Sequence, residues 1–206
     1  MNKDQANESS NDECFDSAKI AIAVRDILES IGDDPDREGL RNTPDRVADL
    51  YKDLFSGMRC DPAEILSVFF EENHTDPVAF TDISFNSTCE HHLLPFYGHA
   101  HVAYIPKGRV VGASKVARLV DVLSKRPQIQ ERLTTQITDA IYRCLDASSV
   151  YVFVSAEHMC MTLRGVKKAE SKIITSAQRG EVHEVQQLIK IIDLSLKFLI
   201  FTTDTV

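Results

Sequence analysis

The sequence predicts an α+β chain, with a helical extension followed by strands that a pair of helices interrupts. Three observations carry that prediction. Near the N-terminus Ile20, Val24, Ile27, Leu28 and Ile31 recur at helical spacing on one face. Far down the chain, Val150-Tyr151-Val152-Phe153-Val154-Ser155-Ala156 alternates as a strand does. Between them, Ser114 to Leu145 reads as two consecutive helices set among strands.

Residues 1–14 are polar and predict a frayed tail, taken as 1–15. The first helix starts at Asp16 and stops at Gly32-Asp33-Asp34-Pro35. Thr43-Pro44 opens a second, with Thr43 as N-cap, Pro44 in the first helical position, and Val47, Leu50, Tyr51 and Leu54-Phe55 along one side. Gly57 ends it. Val78–Phe85 and Phe96–Ile105 predict strands, and Pro106-Lys107-Gly108 is turn chemistry. Ser114 predicts the N-cap of a helix running to about Lys125. Pro127 predicts the start of another, from Gln128 to about Leu145, with Ile129, Leu133, Ile137 and Ile141 spaced by four. A strand follows at 150–158. The expected division is a tail (1–15), a helical extension (16–60) and a main domain (61–206). No glycine-rich phosphate loop is present.

Composition narrows the function classes. A chain of 206 residues, 43% hydrophobic and 26% charged, can bury a sizeable core and is ordinary for a soluble protein. No apolar run reaches a membrane span, and the polar N-terminus lacks a signal-peptide core. Five cysteines, an odd count without a framework, argue against a disulfide scaffold and for a reducing cytoplasm. A net charge of −8 disfavours nucleic acid as a partner. Basic islands nevertheless stand out. Lys107, Arg109, Lys115, Arg118, Lys125, Arg126 and Arg132 face only Asp121 and Glu131 across 106–132, and Arg164, Lys167, Lys168 and Lys172 face Glu170. Such islands suit a small polyanion; their blander reading is a solvated face.

The chemistry concentrates in Ser87-Thr88-Cys89-Glu90-His91-His92 and Glu157-His158-Met159-Cys160. Cys89, His92 and Cys160 make a ligand set for Zn²⁺, and three protein ligands leave a position open, as catalytic zinc does. On a strand the side chains at i and i+2 share a face, so His158 and Cys160 are expected to point the same way. His91 and His158 remain as proton-transfer groups. Cys14, Cys60 and Cys144 receive no role. His99 and His101 read as hydrogen-bonded interior histidines, since no third ligand accompanies them. His74 and His183 read as exposed.

Taken together, Thr88-Cys89-Glu90-His91-His92, His101-Val102-Ala103-Tyr104-Ile105-Pro106 and Ser114-Lys115 resemble GTP cyclohydrolase I. So do Arg126-Pro127-Gln128-Ile129-Gln130-Glu131-Arg132-Leu133, the His158-x-Cys160 pair with Arg164-Gly165, and Thr43-Pro44-Asp45-Arg46-Val47-Ala48. The likeness spans roughly residues 16–180 and departs after Gly180, where Ser195-Leu196-Lys197-Phe198-Leu199-Ile200-Phe201 leads into Thr202-Thr203-Asp204. The resemblance implies the tunnelling fold, a homodecamer of two pentamers with sites at subunit boundaries, and 61–206 as the catalytic domain. It implies conversion of GTP and water to formate and 7,8-dihydroneopterin triphosphate, the opening step of folate biosynthesis. Zinc on Cys89, His92 and Cys160 would activate water toward C8 of the guanine. His158 would protonate N7, His91 would position water or relay protons, and Ser114 would shuttle protons during the ribose rearrangement. Glu131 would accept from the guanine N1–H and 2-amino group with Gln130 in support, and Arg46, Lys115, Arg118 and Arg164 would hold the triphosphate. By itself Glu131 reads as a surface carboxylate on a regular helix.

Two rival readings share the metal chemistry. A zinc nucleobase deaminase would carry His-x-Glu and Pro-Cys-x-x-Cys, which this chain lacks. A zinc-stabilised binding module would need a fourth protein ligand, and only His91 and His158 lie near the motifs.

Overall fold

The computed structural model describes residues 15–203, and its first helices follow local chemistry. In α1 (Ser17–Ser30) the Asp16 carboxylate caps the N-terminus, accepting from the Lys19 amide at 2.9 Å. Gly32 just beyond takes a φ of 88°. α2 (Thr43–Leu54) starts one residue earlier than expected. Asn42 rather than Thr43 is the N-cap, and Pro44 still sits in the first turn, where a missing N–H is harmless. A 3₁₀ turn, Ser56–Arg59, buries Gly57. No residue of α1 is buried, and Ile27 and Ile31 of its apolar face are 58% and 71% exposed. These elements belong to the first of two compact units, which ends at Arg59; the second begins at Cys60. The expected tail, apart from residue 15, lies outside the described residues, as do Cys14 and Asp204.

The second unit runs through α3 (Pro62–Ile65), β1 (Phe69–Glu71), β2 (Val78–Cys89), β3 (Pro95–Ile105) and β4 (Arg109–Val111). It continues with α4 (Ala113–Ser124), β5 (Pro127–Gln128), α5 (Gln130–Cys144) and β6 (Ser149–His158). α6 (Met159–Thr162), β7 (Lys172–Arg179) and α7 (Val182–Thr203) complete it. β1 and β4 pair antiparallel, and the main sheet has the order β5-β2-β3-β6-β7, antiparallel except at β2–β5. One face is covered by α4 and α5, whose Leu119, Leu123, Leu133 and Ile137 pack on Phe85, Phe96, Val102 and Val152. On the other face Leu188 and Ile192 of α7 cover Ala103 and Ile105. Glu184 fastens α7 by accepting from the hydroxyls of Ser148 and Ser149. Among the described residues no helix is long and apolar enough to cross a membrane.

Several boundaries differ from expectation for local reasons. β2 runs on to Cys89 because its polar end is satisfied inside the fold; Ser87 Oγ donates to the Ser124 carbonyl at 2.7 Å. Ser114 is not an N-cap. Gly112 holds that position, and Ser114 is exposed in the first turn of α4. Pro127 does not begin a helix either. Pro127-Gln128 pairs in parallel with Thr88-Cys89, and Ile129 stays extended as the N-cap of α5. Gln128 enforces this, because its buried amide donates to Leu123 O at 2.9 Å and Gln136 Oε1 at 2.8 Å. Strand β6 ends at His158, so Cys160 lies one step into α6 and the shared-face argument for this pair fails. His101 is interior as expected, with Nδ1 accepting from the Asp82 amide at 3.3 Å, and burial pushes its pKa down. His99 is exposed instead, His183 is exposed, and His74 is half-buried.

At one point β3 and β6 approach too closely for any side chain. A Cβ on Gly98 would lie 2.0 Å from Ser155 O and 2.6 Å from Ala156 Cα. Gly98→Ala should therefore lower stability by about 1–3 kcal/mol or more, as overpacking does. Urea unfolding measures it; an unchanged midpoint would contradict the close approach.

Candidate metal centre and active site

At the end of β2 the chain reverses within six residues. The Cys89 amide donates to Leu94 O at 2.8 Å, and the Cys89 carbonyl accepts from Leu93 N at 2.9 Å. Leu93 adopts a φ of 53° to close the loop. This folds His92 back so that its Nδ1 lies 3.9 Å from Cys89 Sγ. From the adjacent end of the sheet, the single turn of α6 swings Cys160 to the same place. One ligand atom from each of Cys89, His92 and Cys160 lies within 4.8 Å of the other two. Cys89 is buried, Cys160 half-buried and His92 exposed. Two thiols and an imidazole are a donor set that suits zinc. Burial, and then the neighbouring Cys89 thiol, push the Cys160 pKa up, the cost that a divalent cation between them would remove. Arg164 reaches the far side of this group, with Nη1 hydrogen-bonded to His92 Nε2.

His158 closes β6 with its ring buried. It stacks on Phe96, centroids 4.5 Å apart and planes 6° from parallel, and its Nε2 meets Gln130 Oε1 at 2.8 Å. Burial pushes its pKa down, opposed by the charge of Glu131. Gln130 is 1% exposed and its amide is fully engaged within the protein. Glu131, the next residue on the first turn of α5, is exposed. His91 is 64% exposed, with Nε2 3.8 Å from Glu90 Oε1.

The remaining expected residues lie on two helices. Ser114, Lys115 and Arg118 occupy the first turns of α4, and none makes a side-chain hydrogen bond or ion pair among the described residues. Arg46 is exposed on α2 in the first unit. The structure thus gathers Cys89, His92, Cys160 and Arg164 in direct contact and joins His158 to Gln130.

Sequence reasoning missed three neighbours. Glu90 and Arg132 form a two-pronged ion pair at 2.5 and 3.0 Å, and Phe96 supplies the stacking face for His158. The Glu90 amide also donates to Gln128 O at 3.0 Å, so the ligand loop is tied to β5 as well as to α5. The available signal was position, since Glu90 sits between two ligands and Arg132 follows Glu131.

The sequence profile described as GTP cyclohydrolase I matches residues 20–193. The chain belongs to the GTP cyclohydrolase I family. Family likeness therefore continues past Gly180, where a departure was expected, into the first half of α7. Proteins named GTP cyclohydrolase 1 are similar over most of its length. That of Carboxydothermus hydrogenoformans is 61% identical over 166 residues, covering 80% of this chain and 86% of that protein. Those of Caldanaerobacter subterraneus subsp. tengcongensis and Dehalococcoides mccartyi are 58% and 56% identical, covering 81% and 82% of this chain and 89% and 91% of theirs. A crystal structure of the archaeosine synthase QueF-Like in the apo form aligns with 52% of this chain and 95% of that one, at 19% identity and a TM-score of 0.44. The expected α+β class is the β2-β3-α4-α5-β6-β7 arrangement described above.

The Glu90–Arg132 pair carries a pH signature. Hydrogen bonding from Arg132 holds the Glu90 carboxyl below its ordinary value of 4.5. A depressed carboxylate stabilises the fold above the unfolded-state pKa and loses that contribution as pH falls through the folded-state value. Glu90→Gln should therefore lower the melting temperature at neutral pH, with the difference from the parent shrinking as pH drops below about 4.5. A difference that stays constant across that range would rule out a stabilising ion pair.

Proposed function

We infer that this member of the family converts GTP and water to 7,8-dihydroneopterin triphosphate and formate, the opening step of folate biosynthesis, with Zn²⁺ held by Cys89, His92 and Cys160. The observation that carries this reading is the convergence of those three donor atoms within 4.8 Å at the sheet end that also presents His158. A zinc ion held there by Cys89, His92 and Cys160 would supply Lewis-acid chemistry, lowering the pKa of water near guanine C8.

The chain's own residues do the rest. His158 delivers the proton to N7 as the imidazole ring of the base opens. Its depressed pKa makes the protonated form a readier donor. His91, exposed beside the ligand loop, orients water. Glu131 accepts from N1–H and the 2-amino group, a two-point contact that adenine cannot satisfy. Lys115, Arg118 and Arg164 neutralise the triphosphate, and the uncapped N–H groups at the start of α4 add donors to it. Ser114, exposed in that same turn, carries protons during the ribose rearrangement.

The same reading includes assembly into a homodecamer of two pentamers and a cytoplasmic setting. Edge strand β7 with Ile174 62% exposed, and the uncovered apolar side chains of α1, support contacts with further copies. Thiols that must stay reduced to hold metal support the reducing compartment.

Two variants separate metal holding from proton transfer. Cys160→Ala should lose zinc and activity together. His158→Ala should keep near-stoichiometric zinc while ring opening falls by about 10²–10⁴-fold, the usual span for a general acid or base. Zinc content, formate release and pterin fluorescence after oxidation measure all three properties. A zinc-free His158→Ala protein would make His158 a ligand and sink the three-ligand assignment. For base recognition, Glu131→Gln should lower kcat/KM for GTP by about tenfold or more while the fold survives, because an amide presents donors where the base needs acceptors. Unchanged turnover at subsaturating GTP would refute that role.

A further inference from the structure

Gln130 sits at the start of α5, next to the residue assigned to the guanine, yet its side chain faces the protein interior. Its Nε2 lies 3.1 Å from Val154 O, 2.9 Å from Ile173 O and 3.1 Å from Thr175 Oγ1. Two of these partners are carbonyl oxygens, which only accept. The amide therefore has one possible orientation, with NH₂ toward the strands and Oε1 toward His158. Turning it over would press oxygen against two carbonyls. The surrounding hydroxyls fit the same direction. Thr134 Oγ1 donates to the Gln130 carbonyl at 2.8 Å and stands 2.6 Å from Thr175 Oγ1. Thr175 can then donate to Thr134 and still accept from the Gln130 amide. The two amide hydrogens are thus shared among three acceptors on the strands, none of which is His158.

Oε1 is purely an acceptor, so the ring nitrogen 2.8 Å away must bring the hydrogen. We propose that Gln130 is a positioning residue that fixes His158 in the Nε2–H tautomer, leaving Nδ1 as the atom that gives and takes the catalytic proton. The ring plane is set separately by the stack on Phe96. Gln130 thus settles rotation within that plane and the identity of the reactive nitrogen, and it makes no contact with the base. The inference rests on the reading of His158 as the proton-transfer group.

The test uses zinc-loaded, full-length protein and Gln130→Met, which keeps the side-chain length but removes the acceptor. kcat should fall about 10–100-fold, the range for a lost outer hydrogen bond to a functional histidine. KM for GTP and zinc content by atomic absorption should stay close to the parent. In the His158→Ala background the same substitution should cause no further loss, since the two residues act as one unit. ¹⁵N spectra of histidine-labelled protein should show the pyrrole-type nitrogen of neutral His158 at Nε2 in the parent, and a mixture of tautomers in Gln130→Met. Gln130→Leu, which also removes the acceptor, takes the place of Gln130→Met if that variant does not fold. A raised KM with kcat preserved would return Gln130 to the base, and losses that multiply in the double variant would also overturn the proposal. Full activity in His158→Ala alone would instead remove the proton-transfer reading on which the proposal stands, while the ¹⁵N result would still report the tautomer.

Discussion

Registration of β3 between its two neighbours decides where every reactive side chain falls. Phe96 is opposite Ser87 on β2 and opposite His158 on β6. That single row puts the end of the Cys89 strand and the end of the His158 strand at the same edge of the sheet. Directly opposed residues share a face, so Phe96 and His158 meet ring to ring on the side covered by α5. A slip of one residue would turn His158 to the opposite face and carry α6, with Cys160, away from the ligand loop. The register is well protected. Ala100, Val102, Tyr104, Val150, Val152 and Val154 all bury their side chains on that core face, and a one-residue slip would turn the whole set away from it.

The site also solves a problem of buried polarity. A histidine, a glutamine and two threonines are placed under α5 against the sheet, where unpaired polar atoms are costly. Most of their hydrogen-bonding capacity is met within the group or by strand carbonyls. One polar atom nearby is left over, Gln128 Oε1, buried without a protein partner. The charged residues behave differently. Glu90 and Arg132 remain partly solvated, with side chains 30% and 41% exposed, so their pairing orients the loop without a large desolvation cost.

Much of this was legible in the sequence, and the limits have physical causes. That Cys89, His92 and Cys160 come together was legible because soft ligands are rare and their spacing is distinctive. The reasoning behind Cys160 was nevertheless wrong in detail, since it reaches the centre from a helical turn and not along a strand. Helices α1, α2, α4 and α5 were visible from periodicity, with starts off by up to a few residues. Pro127 misled because proline at a helix start and proline in a short extended segment look alike locally. What decided between them was Gln128, whose partners Leu123 and Gln136 become neighbours only in the folded chain. The β1–β4 pair escaped because strands of three residues carry no measurable period. β7 escaped because alternation in Lys172–Arg179 is weak. The resemblance implied Gln130 in support of Glu131 at the base; in the fold its amide turns inward, since neighbouring residues on a helix face different ways.

That last point gives β5 an importance out of proportion to its two residues. Along a helix each step turns the side chain by about 100°. Gln130, Glu131 and Arg132 exploit three successive directions: inward to His158, outward to solvent, and across to Glu90. The angular phase of α5 is set by where its extended lead-in stops, and that lead-in is held by pairing with Thr88-Cys89. Substitutions farther along α5 leave the phase untouched. One residue inserted or deleted between Pro127 and Ile129 would rotate all three side chains at once, exchanging their destinations. Chain length in this segment is therefore under a stricter constraint than residue identity, and lineages of such proteins should vary in their loops while keeping this interval fixed.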